Sequence, residues 1–226
     1  MQARKTLAGL MCVCALAACS KNQSDSAGKP AANQPVDVAK VFAVKSNFGP
    51  EYRVATKGPT DIDPKTLAPP KLPPNMTFDP PECADLATGQ RLPPGLKGTA
   101  ASVLAQGNGT RFTVIAAQNI DHVPEAALPQ NCQHVAFTTE NASGTVDVVD
   151  APQIQDAQTS ATHRQFEVTV KGKERTGELY YYVAYLKNFV VTVSANSVTA
   201  AGQAPVPADT EQARSLLTAA VSAVRG

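Results

Sequence analysis

The sequence contains no tryptophan, and phenylalanine and tyrosine together keep the aromatic content at 5%. A hydrophobic core must therefore be built mainly from aliphatic side chains. Basic residues outnumber acidic residues by only one, 20 against 19. Because the chain has no charge excess, its composition does not favour a nucleic-acid partner.

The sequence also lacks the common catalytic and cofactor motifs. It has no Gly-x-Ser-x-Gly elbow, no phosphate-binding glycine loop and no His-Glu-x-x-His. The three histidines, His122, His134 and His163, are scattered, and a structural role is expected for each. We therefore predict no catalytic residue, no metal site and no cofactor. A hydrolase built from Ser, Asp and Glu on distant loops is the less favoured alternative.

The N-terminal residues have the pattern of an export signal. Arg4 and Lys5 form a positive region, and an uncharged apolar run from Leu7 to Ala18 follows. This run is too short to span a bilayer, which takes about 20 residues. It ends in Leu-Ala-Ala-Cys at 16–19, which resembles a bacterial lipobox. That resemblance implies a signal peptide at 1–18 and acylation of Cys19; the alternative is an ordinary secretory signal with a chance cysteine.

The predicted mature chain begins with a tether and continues as one domain. Residues 19–35 are polar and rich in Ser, Ala, Asn and Gln, so we expect a lipidated cysteine followed by a disordered tether. Residues 36–226 are long enough for a single domain with its own core. Within it, 59–95 is proline-rich and is predicted to cover the surface as an extended segment.

Two cysteines remain after the predicted processing, Cys83 and Cys132. An exported protein experiences an oxidising compartment, so this pair favours one disulfide. Two free thiols and a metal site are the alternatives. The absence of a Cys-x-x-Cys pair argues against zinc.

The rest of the domain shows hydrophobic patterns of helix and antiparallel strand. Asp37 is a candidate N-cap for a first helix, and Asp209 precedes a second helix whose apolar residues form one stripe. Asn108-Gly109 lies between two β-prone runs, which indicates a hairpin. Strands at 164–171, 178–187 and 189–195 predict a meander, with a loop at 172–177 and a turn at Lys187-Asn188. The predicted fold is α+β: an antiparallel sheet with the N- and C-terminal helices packed on one face.

Four of the five tyrosines lie between positions 180 and 185. We expect Leu179, Tyr181, Val183, Phe189, Val191 and Val193 to face the core. Tyr180 and Tyr182 would then lie on the opposite, open face, where they are candidates for ligand binding through aromatic stacking. The alternative is that both pack beneath the proline-rich segment.

The arrangement of these motifs is similar to that of a known group of proteins. Phe-Asp-Pro-Pro-Glu-Cys at 78–83 and Gln-Asn-Cys at 130–132 stand between the lipobox and the final helix. The chain resembles mycobacterial lipoproteins that carry a domain of unknown function, and it distantly resembles the extracellular sensor domain of mycobacterial receptor serine/threonine kinases. This resemblance implies a sheet with helices around a cleft and an envelope ligand. The kinase sensors have two disulfides, whereas this chain has cysteines for one.

Together these observations predict a lipoprotein of the cell envelope, held on the outer face of the cell membrane by acyl chains on Cys19. Its domain is expected to be a non-enzymatic binding or sensor-like module for an envelope lipid, glycan or protein. The alternative is a structural or accessory protein that docks on another envelope protein.

The lipobox assignment predicts that Cys19→Ser abolishes acylation, because the thiol that carries the lipid is lost. Mass spectrometry of the membrane-extracted protein should show an acylated chain beginning at Cys19 in the wild type and no acylated chain in the variant. Cys14→Ser is the matched control and should leave the mature mass unchanged. An acylated Cys19→Ser product would contradict the assignment.

Overall fold

A computed structural model describes residues 36–62, 75–88, 97–119, 131–198 and 206–226. The signal peptide, Cys19, the tether and His122 lie outside these ranges, as do residues 63–74 and 89–96 of the proline-rich segment. Pro35–Gly226 forms one compact unit. None of the helices in the described ranges is long and apolar enough to cross a membrane.

The described ranges form one antiparallel sheet of nine strands and a few helices. The strands are β1 (Arg53–Asp61), β2 (Thr77–Asp79), β3 (Gly98–Gly107), β4 (Thr110–Asn119), β5 (His134–Thr138), β6 (Ala142–Val149), β7 (Gln158–Val170), β8 (Lys173–Tyr185) and β9 (Phe189–Ser197). Their order across the sheet is β1-β3-β4-β9-β8-β7-β6-β5-β2. The helices are a 3-10 helix at Val38–Asn47, a 3-10 turn at Pro81–Cys83, α1 (Ala84–Thr88) and α2 (Thr210–Arg225). The predicted α+β fold is confirmed.

The two terminal helices pack on one face of the sheet, which we call the helix face. Asp209 caps α2 by accepting a hydrogen bond from the backbone N–H of Gln212 at 2.9 Å. The predicted stripe of α2 is fully buried, and it consists of Ala213, Leu216, Leu217, Ala220, Val221 and Val224. Because α2 is amphipathic, its apolar stripe and the inward residues of β3, β4, β8 and β9 form one mainly aliphatic core.

The N-terminal helix is a 3-10 helix rather than the expected α-helix. Val38, Val41 and Val44 are buried, whereas Phe42 is only partly buried. A 3-10 helix has three residues per turn, so side chains spaced by three fall in one column. The valine spacing matches this period, whereas an α-helical stripe of Val38, Val41 and Phe42, with the spacing i, i+3, i+4, would have buried Phe42.

The opposite face, which we call the disulfide face, has its own core at the β2 end of the sheet. Cys83 and Cys132 form a disulfide with a Cα–Cα distance of 5.5 Å, as predicted. Both cysteines are fully buried, together with Leu86 of α1 and Val135 of β5. The described part of the proline-rich segment therefore covers this end of the sheet, while its first residues, 59–61, belong to β1.

One row of directly paired residues on the disulfide face begins with two phenylalanines and then alternates glycine with phenylalanine. The row runs across β2, β5, β6, β7 and β8, and it consists of Phe78, Phe137, Gly144, Phe166 and Gly177. A Cβ added to Gly177 would lie 2.4 Å from the Phe166 ring, and one added to Gly144 would lie 2.5 Å from the Phe137 ring. The aromatic rings therefore occupy the space that the glycines leave empty.

The prediction of a loop at 172–177 is wrong, because residues 173–177 belong to β8. The chain turns tightly at Lys171-Gly172, where both residues have positive φ, 52° and 71°. β7 and β8 consequently pair along 13 residues each. The Asn108-Gly109 hairpin is confirmed, with φ values of 45° and 75°. Two-residue turns of this kind suit the natural twist of a hairpin.

The disulfide predicts a stability loss in Cys83→Ser. A closed loop of about 50 residues restricts the unfolded chain, which is worth roughly 4 kcal/mol in the chain-entropy account. Such a loss lowers the melting temperature of a domain this size by roughly 10 °C. Thermal unfolding of the variant, of Cys83→Ser/Cys132→Ser and of reduced wild type should show a similar decrease. Full reaction of native wild type with a thiol reagent would contradict the disulfide.

Candidate functional site

Tyr180 and Tyr182 lie on the helix face, so the prediction that they lie on the face opposite the helices is wrong; Tyr182 is buried, and Tyr180 is partly buried. Tyr182 pairs with Val193, and Tyr180 pairs with Ala195. Across the two-residue turn at Lys187-Asn188, each even-numbered residue of β8 pairs with an odd-numbered residue of β9. Directly paired residues lie on the same face of a sheet, so even residues of β8 share a face with odd residues of β9. Phe189, Val191 and Val193 do face the helices as predicted, but Leu179, Tyr181 and Val183 lie on the disulfide face.

Tyr182 is enclosed by the helix core. Only 2% of its surface is exposed, and its side chain hydrogen-bonds to Arg214 of α2. Burial raises the pKa of Tyr182, although the Arg214 charge partly opposes this effect. Because α2 covers Tyr182, this residue neither lies on an open face nor packs beneath the proline-rich segment.

Tyr180 belongs to a chain of contacts that reaches the start of α2. Its ring stacks on His163 of β7, with centroids 4.1 Å apart and planes inclined by 7°. His163 Nε2 lies 3.3 Å from Glu178 Oε2. Glu178 Oε1 accepts a hydrogen bond of 2.7 Å from the backbone N–H of Ala208. Burial and then the Glu178 charge raise the pKa of Tyr180.

Glu178 therefore holds the segment that leads into α2 against β8. A second attachment lies next to it, where the Thr110 hydroxyl accepts a hydrogen bond from the Asp209 backbone N–H at 3.3 Å. Thr110 is itself buried, with 2% of its surface exposed. These two contacts fix the segment on both β8 and β4.

Beyond the area that α2 covers, the helix face is polar. His134, Asp147, His163 and Tyr180 form one row of directly paired residues across β5 to β8. His134 Nδ1 lies 2.6 Å from Asp147 Oδ1. Within the described ranges, no group of three or more His, Cys, Asp or Glu side chains is arranged to hold a metal ion.

A pocket of about 460 Å³ lies at this polar end of the helix face. β6, β7 and β8 supply its floor, and the end of β9 and the segment before α2 supply its wall. We call it the Glu178 pocket. The described residues that line it are Ser143, Gly144, Thr145, Gln165, Phe166, Glu167, Thr176, Gly177, Glu178, Ser197, Val206 and Pro207.

The pocket wall includes an unusually exposed apolar side chain. Val206 exposes 48% of its surface, which makes it one of the few large hydrophobic residues exposed in the described ranges. Pro207 follows it, and Ala208 is the residue that Glu178 binds. Glu178 thus both lines the pocket and positions the chain that forms its wall.

A larger concavity of about 810 Å³ surrounds the β3–β4 turn and the edge strand β1. Tyr52 lies beside it, and its hydroxyl donates a hydrogen bond of 2.9 Å to Gln212 Oε1. Burial raises the pKa of Tyr52 as well. Neither of the tyrosines predicted to bind a ligand lines this concavity, whereas Glu178 of the Glu178 pocket lies two positions along β8 from Tyr180.

Sequence reasoning missed every polar residue of the Glu178 pocket. Thr145, Gln165 and Glu178 are far apart in the chain and become neighbours only because β6, β7 and β8 pair in this register. The tight turn at Lys171-Gly172 was the one available signal, since it determines the pairing of Gln165 with Glu178.

The raised tyrosine pKa values predict a loss of stability above pH 10. Each phenol ionises at its ordinary value of 10.0 in the unfolded chain but at higher pH when folded. The resulting stability is complete below pH 10 and is lost as the pH rises through the folded pKa. Tyr182→Phe should therefore lose melting temperature less steeply than wild type in this range. Equal slopes above pH 10 would contradict the assignment, and the neutral range, where both slopes should be flat, is the control.

Comparisons with known proteins identify a family but no activity. The model of the family described as "Domain of unknown function (DUF5642)" matches residues 37–225. An uncharacterised protein from Mycobacterium smegmatis, known from an X-ray structure, is 46% identical, with a TM-score of 0.77. The similarity covers 84% of this chain and 98% of that one. Among curated proteins, none matches this sequence. Because the family model spans nearly the whole described domain, the chain belongs to the DUF5642 family.

Proposed function

We propose that this chain is a lipoprotein of the mycobacterial cell envelope, anchored to the outer face of the membrane through Cys19. The lipobox at 16–19 and the polar stretch that follows it support the anchor. The buried disulfide is typical of an exported protein. The solved relative from Mycobacterium smegmatis supports the mycobacterial setting.

We propose further that the domain is a non-enzymatic, sensor-like module that binds its ligand in the Glu178 pocket. The observation that carries this proposal is the way the pocket wall is held. Glu178 and Thr110 attach the segment before α2 through backbone N–H groups, so the wall is in place before a ligand arrives. A preformed concavity of about 460 Å³ is within the usual size of small-molecule sites, about 300–1,000 Å³.

A second function, docking on another envelope protein, is favoured by a different surface. Leu104 on the disulfide face of β3 exposes 42% of its surface and lies next to the edge strand β1. β1 is a terminal strand of the described sheet, and an edge strand offers backbone groups with which another chain can pair. Cross-linking at Leu104 in intact envelopes that yields one protein partner would support this function.

The binding proposal predicts that a ligand accompanies the protein and depends on the Glu178 pocket. Full-length protein extracted in detergent from a mycobacterial host should carry a discrete additional mass in native mass spectrometry. Gln165→Trp should remove that mass, because Gln165 is exposed on the pocket floor and an indole there fills the space. An aromatic side chain suits a strand, so the fold should tolerate it.

Thr169→Trp is the matched control. Thr169 is exposed on the same strand, two pairs beyond Glu167 along β7, and is not among the described residues that line the pocket. It should leave the additional mass unchanged. A bare protein mass in the wild type, or equal losses in both variants, would overturn the binding proposal.

A further inference from the structure

The charged residues of the Glu178 pocket restrict what it can bind. Among the described residues that line the pocket, Glu167 and Glu178 are charged, and none is basic. A phosphate or carboxylate ligand would meet carboxylates without an opposing cation, and like charges at short range repel. The pocket therefore disfavours anionic ligands.

Glu178 is already engaged by the protein itself. One of its oxygens accepts from the Ala208 N–H, and the other lies 3.3 Å from His163 Nε2. A cationic ligand that paired with Glu178 would compete with both contacts. Glu167 is exposed and has no hydrogen-bond or ion-pair partner among the described residues. One exposed carboxylate pairs only weakly with a cation in water.

The other polar groups of the pocket both donate and accept hydrogen bonds. Hydroxyl groups come from Ser143, Thr145, Thr176 and Ser197, and a side-chain amide comes from Gln165. Ammonium groups only donate and phosphate oxygens only accept, so neither uses such a surface fully. A ligand hydroxyl does both and therefore complements this floor.

The wall supplies an apolar surface beside the polar floor. Val206 and Pro207 are exposed and line the pocket, and the Val206 side chain also lies beside Gly109 of the β3–β4 turn. A sugar ring has the matching character, with hydroxyl groups at its rim and C–H groups on its faces. A flat hydrocarbon ligand would leave the floor's polar groups without partners, which costs free energy when they are buried.

We infer that the ligand of the Glu178 pocket is an uncharged saccharide. The inference rests on the proposed function, since it names the ligand class of the same pocket. Glu167 and Gln165 accept from sugar hydroxyls, Glu178 positions the wall, and Val206 contacts the face of a ring.

The experiment measures binding of the full-length protein in detergent to an array of neutral, acidic and amino oligosaccharides. Spermidine and inorganic phosphate are measured separately by calorimetry. Neutral oligosaccharides should bind wild type and Thr169→Trp but not Gln165→Trp. Glu167→Gln should weaken neutral saccharide binding by only about fivefold to tenfold, because an amide still forms hydrogen bonds there.

The outcomes separate this inference from the proposed function. If spermidine or phosphate binds and Gln165→Trp abolishes that binding, the pocket is a ligand site but the saccharide inference is wrong. A co-purified, non-saccharide mass that Gln165→Trp removes has the same meaning. If no probe binds and no additional mass accompanies the protein, both the binding proposal and the saccharide inference are wrong. Binding of amino oligosaccharides but not of neutral ones, lost in Glu167→Gln, would show that a cationic group of the ligand is recognised instead.

Discussion

The structure depends on the packing of one amphipathic helix against the middle of a long sheet. α2 buries Leu216 and Leu217 completely against β4, β8 and β9. A sheet exposes two faces, and this chain has few helical residues with which to cover them. Without tryptophan, the helix core relies on closely packed aliphatic side chains. α2 does not cover the strands that lie beyond its N-terminus. The polar residues exposed on those strands form the floor of the Glu178 pocket.

The disulfide helps to form a buried core at the β2 end of the sheet, as α2 does at the middle of the sheet. β2 has only three residues and α1 only five, too few to bury a sizeable core of their own. The link between Cys83 and Cys132 holds this short segment on β5 and β6, where Leu86 and Val135 are then excluded from water. The two cores lie on opposite faces, so each stabilises a different part of the same sheet.

Local signals predicted the elements of this fold well. Asp209 and the apolar stripe that follows it predicted α2, and Asn108-Gly109 predicted one hairpin. Both signals depend only on residues that are close together in the sequence. The face of β8 was predicted wrongly since it follows from pairing across a turn, where a shift of one residue exchanges the two faces. The polar floor of the pocket needs three strands in register at once. No single stretch of sequence contains that information, so Thr145, Gln165 and Glu178 could not be recognised as neighbours.

The alternating phenylalanine and glycine residues have a consequence for how the pocket can change. Gly144, Phe166 and Gly177 also line the Glu178 pocket, from the other side of the same strands. The floor is a single layer of backbone, and on its far side the Phe137 ring packs over Gly144 and the Phe166 ring packs over Gly177. A larger or smaller side chain behind the sheet would move the floor in front of it. Family members that vary at these positions should therefore vary in pairs, and their ligand preferences should change without any substitution of the polar side chains on the pocket floor.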